Sequence, residues 1–247
     1  MLAATRKQLL LDRLRSDGRI VAKELAAELG LSEDSIRRDL RELDAAGLAV
    51  RVYGGALPAS PAVANYGVRE TVATDSKTRV ARRAAQLIEP GSTVILDGGT
   101  TVRALDPGRE CTIITHSPTV AAALLHHTAE VIILGGRLFK HSAVASGAAA
   151  VEAAMTVSAD RFLLGVTGVH EDAGLTTDDA DEAAMKRTLA SRAAETFVLG
   201  TAEKIGAASR YRVLTWDAVD GVIVDAEDAA GATTLSALER RDVSVLR

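Results

Sequence analysis

The chain has 247 residues and a formal net charge of −4, with 47% hydrophobic and 25% charged residues. That size fits one small and one medium domain with a real core, and no apolar run approaches the ~20 residues needed to span a bilayer. Aromatic residues make up only 3% and Cys111 is the single cysteine, so Ala, Val and Leu must fill the core and a disulfide framework is excluded.

Thr5 to Ser16 reads as a first helix, with apolar residues at 9, 10, 11 and 14. Thr5, Arg6 and Lys7 open it with a polar face instead of the order of a signal peptide, so a cytoplasmic protein with no membrane partner is expected. Val21–Leu29 repeats apolar residues at 21, 25, 26 and 29 in helical spacing, and Gly30 suits a turn that needs positive φ. Ser32 stands at an N-cap position before a second helix that stops at Gly47, with Ile36, Leu40 and Leu43 as its buried stripe. Helix, tight turn and a helix carrying Arg37 and Arg38 form the grammar of a helix-turn-helix, so double-stranded operator DNA is the expected partner. Ser32, Asp34, Ser35, Arg37, Arg38 and Arg41 are the candidate contacts on the second helix. Leu48–Ala56 reads as a wing bringing Arg51 and Tyr53 to the sugar-phosphate. Residues 1–57 carry ten Lys or Arg against nine Asp or Glu, a balance of +1 against −5 for the remainder. Affinity should therefore rest on base contacts and on dimerisation more than on bulk charge.

Leu57–Ala62, with two prolines and no charge, reads as a linker. The expected division is a DNA-binding domain over 1–57, a linker over 58–75 and a second domain over 76–247. A helix over Arg79–Ile88 enters that second domain. Short apolar strands follow at Thr93–Asp97, Thr112–Thr115, Val131–Leu134, Arg161–Gly165, Phe197–Gly200 and Gly221–Val224, with helices over Pro118–His127, Ala148–Val157 and Glu182–Ala194. Near-continuous apolar strands alternating with helices predict a doubly wound, mostly parallel α/β sheet, whose ligands bind beyond the carboxyl ends of the strands. Cys111 is expected as a buried small hydrophobe.

Polar and Gly-rich clusters end four of these strands. Asp97, Gly98, Gly99, Thr100 and Thr101 close the first, where backbone N–H groups and hydroxyls suit an anion. His116 and Ser117 end the second, Gly135 and Gly136 the third, and Gly168 falls in the turn after the fourth. Lys186 lies on a helix beside this edge. His126, His127 and His141 have no Cys or carboxylate at ligand spacing, so neither a metal nor a cofactor is expected.

The run LAAELGLSEDSIRRDLRELDAAGLAVRVYGGA and the order KTRVARRAAQLIEPGSTVILDGGTT…THS…ILGG…DRFLLGVTGV resemble DeoR-family bacterial transcriptional regulators. That resemblance implies a winged helix-turn-helix joined to a sensor domain related to ribose-5-phosphate isomerase. It also implies that the Gly-Thr-Thr turn holds the phosphate of a sugar-phosphate effector, and that Lys204 is the lysine the family carries near the fifth strand. This chain departs from the family at Thr201, Glu203 and His116. The implied function is a sequence-specific regulator, read as a repressor of carbohydrate metabolism genes that acts as a dimer or tetramer. Two alternatives stand beside it. One is a sugar-phosphate isomerase on the same scaffold, which needs a carboxylate base; Gly165–Val169 offers none, and Asp178–Glu182 is read as a helix cap. The other is a DNA-binding protein whose C-terminal domain only oligomerises.

Overall fold

The computed structural model describes residues 2–63, 66–108, 110–225 and 232–247. Three helices lead the chain: α1 (Ala3–Asp17), α2 (Ala22–Leu29) and α3 (Glu33–Ala45). Gly30 ends α2 at φ 63°, in the left-handed region, and its N–H returns to the last turn of the helix. The Ser32 side chain then accepts the Ser35 N–H and caps α3. Ile36, Leu40 and Leu43 on α3 meet Leu10 and Leu14 of α1 and Leu25 of α2 in one small core. Beneath them Asp39 is buried and takes two hydrogen bonds from the Arg6 guanidinium, which fastens α1 to α3.

The wing has three strands, β1 (Ile20–Val21), β2 (Ala49–Val52) and β3 (Gly55–Pro58), in the order β1-β3-β2. The start of the stretch expected as a linker over 58–75 is docked on the second domain. Pro58 ends β3, Ala208 donates to its carbonyl at 3.0 Å, Ser60 N–H donates to the Ala208 carbonyl at 3.1 Å, and Ser60 Oγ donates to the Thr167 carbonyl. Proline stops a helix, but the neighbouring N–H and C=O groups still require partners, and they find them on the sensor domain. A short helix, α4 (Tyr66–Glu70), follows within the stretch read as linker.

The second domain begins with α5 (Thr74–Ala85), five residues before the expected start at Arg79, with Asp75 in its first turn. It continues through β4 (Thr93–Leu96), α6 (Thr100–Arg103), β5 (Thr112–Thr115), α7 (Pro118–Ala123), β6 (Glu130–Ile133), β7 (Arg137–Phe139), β8 (Val144–Ser146), α8 (Ala148–Ala154) and β9 (Ala159–Gly165). Then come β10 (Gly168–His170), β11 (Gly174–Thr177), α9 (Ala180–Ala190), β12 (Ala193–Gly200), β13 (Tyr211–Leu214), β14 (Gly221–Val224), α10 (Ala232–Glu239) and β15 (Ser244–Leu246). The helix expected over Glu182–Ala194 ends at Ala190 because β12 begins pairing with β9 at Ala193. Helices α7 and α8 end earlier than expected, at Ala123 and Ala154.

Seven parallel strands form the main sheet in the order β15-β14-β12-β9-β4-β5-β6. Buried apolar clusters cover both of its faces, as the apolar strand runs require. The order reverses between β4 and β9, which puts the crevice of a doubly wound sheet beyond the carboxyl ends of those two strands. A small sheet, β10-β11-β13, and the β7-β8 hairpin complete the domain.

Candidate functional site

Two surfaces carry the expected chemistry. On α3, Asp34, Arg37, Arg38 and Arg41 are exposed at helical spacing opposite the buried stripe. Arg37 pairs with Glu33 at 2.6 Å, one turn back. Ser32 and Ser35 share a hydroxyl contact of 2.9 Å at the start of the helix, so both are spent partly on the cap. Arg51 is exposed on β2, and Tyr53 stands fully exposed at the tip of the β2-β3 turn. All eight candidates therefore lie on the recognition helix, its cap or the wing.

The second surface is a cavity of about 160 Å³ at the strand-order reversal. Its floor is made by the turns after β4, β9 and β12: Gly98–Thr101, Gly165–Thr167 and Glu203–Lys204. Its roof comes from the docked segment and the start of α5, through Pro61, Ala62, Val68, Arg69, Val72 and Lys77. Glycine is required where the β4 and β9 turns cross, because a Cβ on Gly165 would come within 2.6 Å of the Gly98 carbonyl oxygen.

Four cations and two carboxylates line the cavity, and they differ in what they already hold. Lys186 is buried and donates to Asp97, to the Gly165 carbonyl at 2.8 Å, and reaches Glu182 at 3.2 Å. Burial opposes its charge, but Asp97 and Glu182 outweigh burial and raise its pKa. The Lys77 ammonium donates to the Arg69 and Val72 carbonyls, holding the end of α4, and burial lowers its pKa. Burial also lowers that of Arg69, whose guanidinium donates to the His141 carbonyl at 3.3 Å and lies 5.9 Å over the Tyr66 ring. Lys204 is 7% exposed; its backbone N–H donates to the Thr201 carbonyl at 2.9 Å, while its ammonium has no hydrogen bond or ion pair among the described residues. Burial pulls its pKa from 10.5 to about 8, with the Glu203 carboxylate offsetting part of the effect. Thr101 Oγ1 and Arg69 Nε are buried without partners. A buried hydroxyl, a guanidinium N–H and an ammonium around one cavity are donors suited to an anion with acceptor oxygens.

The remaining sequence candidates lie behind this wall. Asp97 is completely buried beneath it, accepting from the Gly165 N–H at 2.9 Å, Lys186 and His116 Nε2 at 2.7 Å. Burial alone would raise its pKa; Lys186 and His116 hold it down at about 2. His116 is likewise inaccessible, its Nδ1 2.8 Å from the Ala145 carbonyl, so it orients Asp97 instead of facing the cavity. Ser117 precedes α7 and contacts Thr119 and the Ala143 carbonyl. Gly135 and Gly136 lie away from the cavity, Gly136 against α8, and Gly168 packs on the Ala207 carbonyl. Sequence reasoning missed Arg69, Lys77 and Glu182, while Thr167 fell within the Gly165–Gly168 cluster read at the end of the fourth strand. The first two fell in or beside the supposed linker. Glu182 was absorbed into a helix cap; the cap is Asp179, which accepts the Glu182 N–H at 2.8 Å, while the Glu182 carboxylate accepts from Ser142 Oγ at 2.9 Å on the cavity wall. Among the described residues no cluster suits a metal ion, and no helix is long and apolar enough to cross a membrane.

The chain matches the DeoR C-terminal sensor domain over residues 72–226 and the DeoR-like helix-turn-helix domain over residues 6–61. It is 32% identical to the HTH-type transcriptional regulator GlpR of Haloferax volcanii, over 97% of this chain and 100% of that protein. It is 31% identical to the HTH-type transcriptional repressor GlcR of Bacillus subtilis, over 87% of this chain and 86% of the relative. With the glycerol-3-phosphate regulon repressor of Escherichia coli it shares 29% identity over 88% of each chain. Among solved structures it matches a ribose 5-phosphate isomerase from Methanocaldococcus jannaschii at TM-score 0.39 and 16% identity, over 53% of this chain and 54% of that one. Both family matches and these three relatives are regulators, which sets the isomerase alternative aside. The chain belongs to the DeoR family of DNA-binding transcriptional regulators.

Proposed function

We propose that this regulator represses genes of carbohydrate metabolism and is switched by a phosphorylated sugar or related metabolite bound in the cavity roofed by α4. The observation that carries the reading is Lys204, a buried ammonium without a hydrogen bond or ion pair among the described residues, beside the unpartnered Thr101 hydroxyl. A phosphate offers acceptor oxygens and negative charge to both. The printed names of the relatives, one of them a glycerol-3-phosphate regulon repressor, agree with that class of ligand. Gly98, Gly99, Thr100 and Thr101 would supply the turn around the phosphate, and Lys186 would hold the floor in shape.

Operator contact is assigned to Ser32, Asp34, Ser35, Arg37, Arg38 and Arg41, with Arg51 and Tyr53 on the wing. Residues 1–57 would form the DNA-binding unit and 76–247 the effector unit, with 58–75 as their joint. Paired half-sites call for a dimer or tetramer. Occupying the cavity draws on the joint, so ligand and operator bias one equilibrium between arrangements of the DNA-binding heads. The test is fluorescence anisotropy of promoter-proximal DNA with the purified protein, with and without a panel of sugar phosphates. Site-specific binding released by a phosphate ester is expected. Site-specific binding indifferent to the whole panel would overturn the effector assignment, and absence of specific binding would overturn the operator assignment.

A further inference from the structure

Beside the cavity, sharing Ala62, Arg69, Ser142, Thr167 and Glu182 with it, lies a second compartment of about 160 Å³, where Phe139, His141, Thr177, Asp178 and Asp179 line a wall that the first compartment does not touch. Arg69 and Glu182 belong to both walls. Small-molecule sites commonly occupy ~300–1,000 Å³. Neither compartment reaches that range alone, so a ligand of ordinary size would have to draw on both.

The chemistry inverts between them. The first compartment is dominated by Lys77, Lys186 and Lys204. The second presents acceptors. Asp178 is partly exposed, and its ion-pair contact, with Arg210, is a long 3.9 Å. Asp179 uses one carboxylate oxygen to cap α9. Thr177 is 0% exposed, lines the compartment, and its Oγ1 has no hydrogen-bond partner. That hydroxyl is the independent sign of a ligand, because a buried polar group without a partner carries an unrecovered desolvation cost. The Phe139 ring, 5.7 Å from the His141 ring, adds an apolar surface beside these acceptors. Carboxylates repel a second anionic group, and they accept hydrogen bonds from hydroxyl donors.

We propose that this second compartment takes the hydroxyl-bearing carbon chain of the effector, with Thr177, Asp178 and Asp179 reading its hydroxyls. The inference rests on the first compartment holding the phosphate, and Arg69 then stands between the two ends of the ligand. Phosphate affinity is set in one compartment and the choice among phosphate esters in the other.

Isothermal titration of the full chain with inorganic phosphate, and with pentose and hexose phosphates, reads both compartments. Sugar phosphates are expected to bind wild type at least tenfold more tightly than inorganic phosphate. Thr177→Val is nearly isosteric and has no protein hydrogen bond to lose, and it is expected to remove at least tenfold of that advantage. Asp178→Asn, on the accessible rim, should act in the same direction to a smaller extent. Lys204→Ala is expected to weaken every phosphate, the inorganic ion included. The second compartment is overturned if both variants leave the sugar-phosphate advantage whole, or if they weaken inorganic phosphate by the same factor as the esters. Equal affinity of wild type for inorganic and sugar phosphates overturns it while sparing the anion pocket. Failure to bind any phosphate overturns the anion pocket, and this inference with it.

Discussion

Lys204→Met isolates the cost that burying an ammonium imposes on the fold. The methionine keeps an unbranched apolar stem and removes the charge. Burial has taken the Lys204 pKa from 10.5 to about 8. At about 1.36 kcal/mol per pH unit, that corresponds to about 3 kcal/mol of destabilisation carried by the protonated side chain at neutral pH. The sign follows from proton binding. Between about pH 8 and pH 10.5 the unfolded chain holds a proton on this lysine that the folded chain has released, so folded wild type gains stability across that window. Below it the folded state bears the full cost. The variant should therefore melt above ligand-free wild type at pH 7, by roughly 6–12 °C for a chain of this size, and the gap should close by about pH 10.5. Thermal unfolding followed by circular dichroism at a series of pH values measures it. A bound anion offsets the same cost in wild type, so effector affinity should fall by up to about tenfold per pH unit above pH 8. Equal melting at pH 7, or a gap that persists unchanged at pH 10.5, would refute the claim that Lys204 is a buried cation whose charge Glu203 only partly offsets.

Arg38→Ala should weaken operator binding by about 1–3 kcal/mol if the arginine reads a base edge; anisotropy with a salt titration distinguishes this from a phosphate contact, which would lower the salt slope by about one. Arg37→Ala should fall in the same range, and unchanged affinity and slope in both variants would remove the arginine pair from the interface. Thr100→Val should abolish the response to effector while leaving operator affinity intact, and release at wild-type effector concentration would count against the β4 turn as part of the site. Asp97→Asn should destabilise the protein by about 3–5 kcal/mol in urea unfolding, because it leaves Lys186 buried without its main counter-charge. The contribution of Asp97 itself is present above about pH 4 and lost as pH falls toward about 2, so an Asp97→Asn variant that matched wild type at pH 7 would sink the assignment. Arg69→Ala should leave operator binding intact and reduce the shift that saturating effector produces in operator affinity; full release at saturation would show that the roof takes no part in signalling.

The DNA-binding head was legible because its signals are local. Gly30, Ser32 and the 36, 40 and 43 stripe each act within one or two turns of chain, and each does in the structure what its chemistry dictates. The parallel sheet was legible for a similar reason: strands buried on both faces must be apolar throughout. Short β15 and the β10-β11-β13 sheet left no such trace, since Gly168–His170, Gly174–Thr177, Tyr211–Leu214 and Ser244–Leu246 mix apolar residues with polar ones or glycine and form no continuous apolar run. The cavity was half legible. Turns after parallel strands converge by topology, which brings Gly98–Thr101 and Lys204 together. Topology does not say which of those polar groups face inward. His116 and Asp97 turn away because Lys186, buried from α9, demands a counter-charge. Arg69 and Lys77 come from a segment that has no apolar period and gave no sign of docking.

That docked segment is what makes the cavity more than a binding site. A ligand shifts an equilibrium only through its different affinity for the two states. The floor turns belong to one rigid sheet and would hold a ligand equally in every arrangement of the heads, contributing affinity and no signal. Arg69 and Lys77 sit on the chain that leads to the wing, and the Lys77 ammonium clamps the two carbonyls at the end of α4. Arg19 joins the same head to Asp172 at 3.3 Å from the other side. A hundredfold loss of operator affinity requires a coupling free energy of about 2.7 kcal/mol, which is within the reach of one or two charge-assisted hydrogen bonds at ~1.5–3 kcal/mol each. On the proposed reading, the unpartnered Arg69 Nε–H is free to make such a bond, and a ligand that used it would hold the roof, and with it the joint, in the arrangement that fits the ligand.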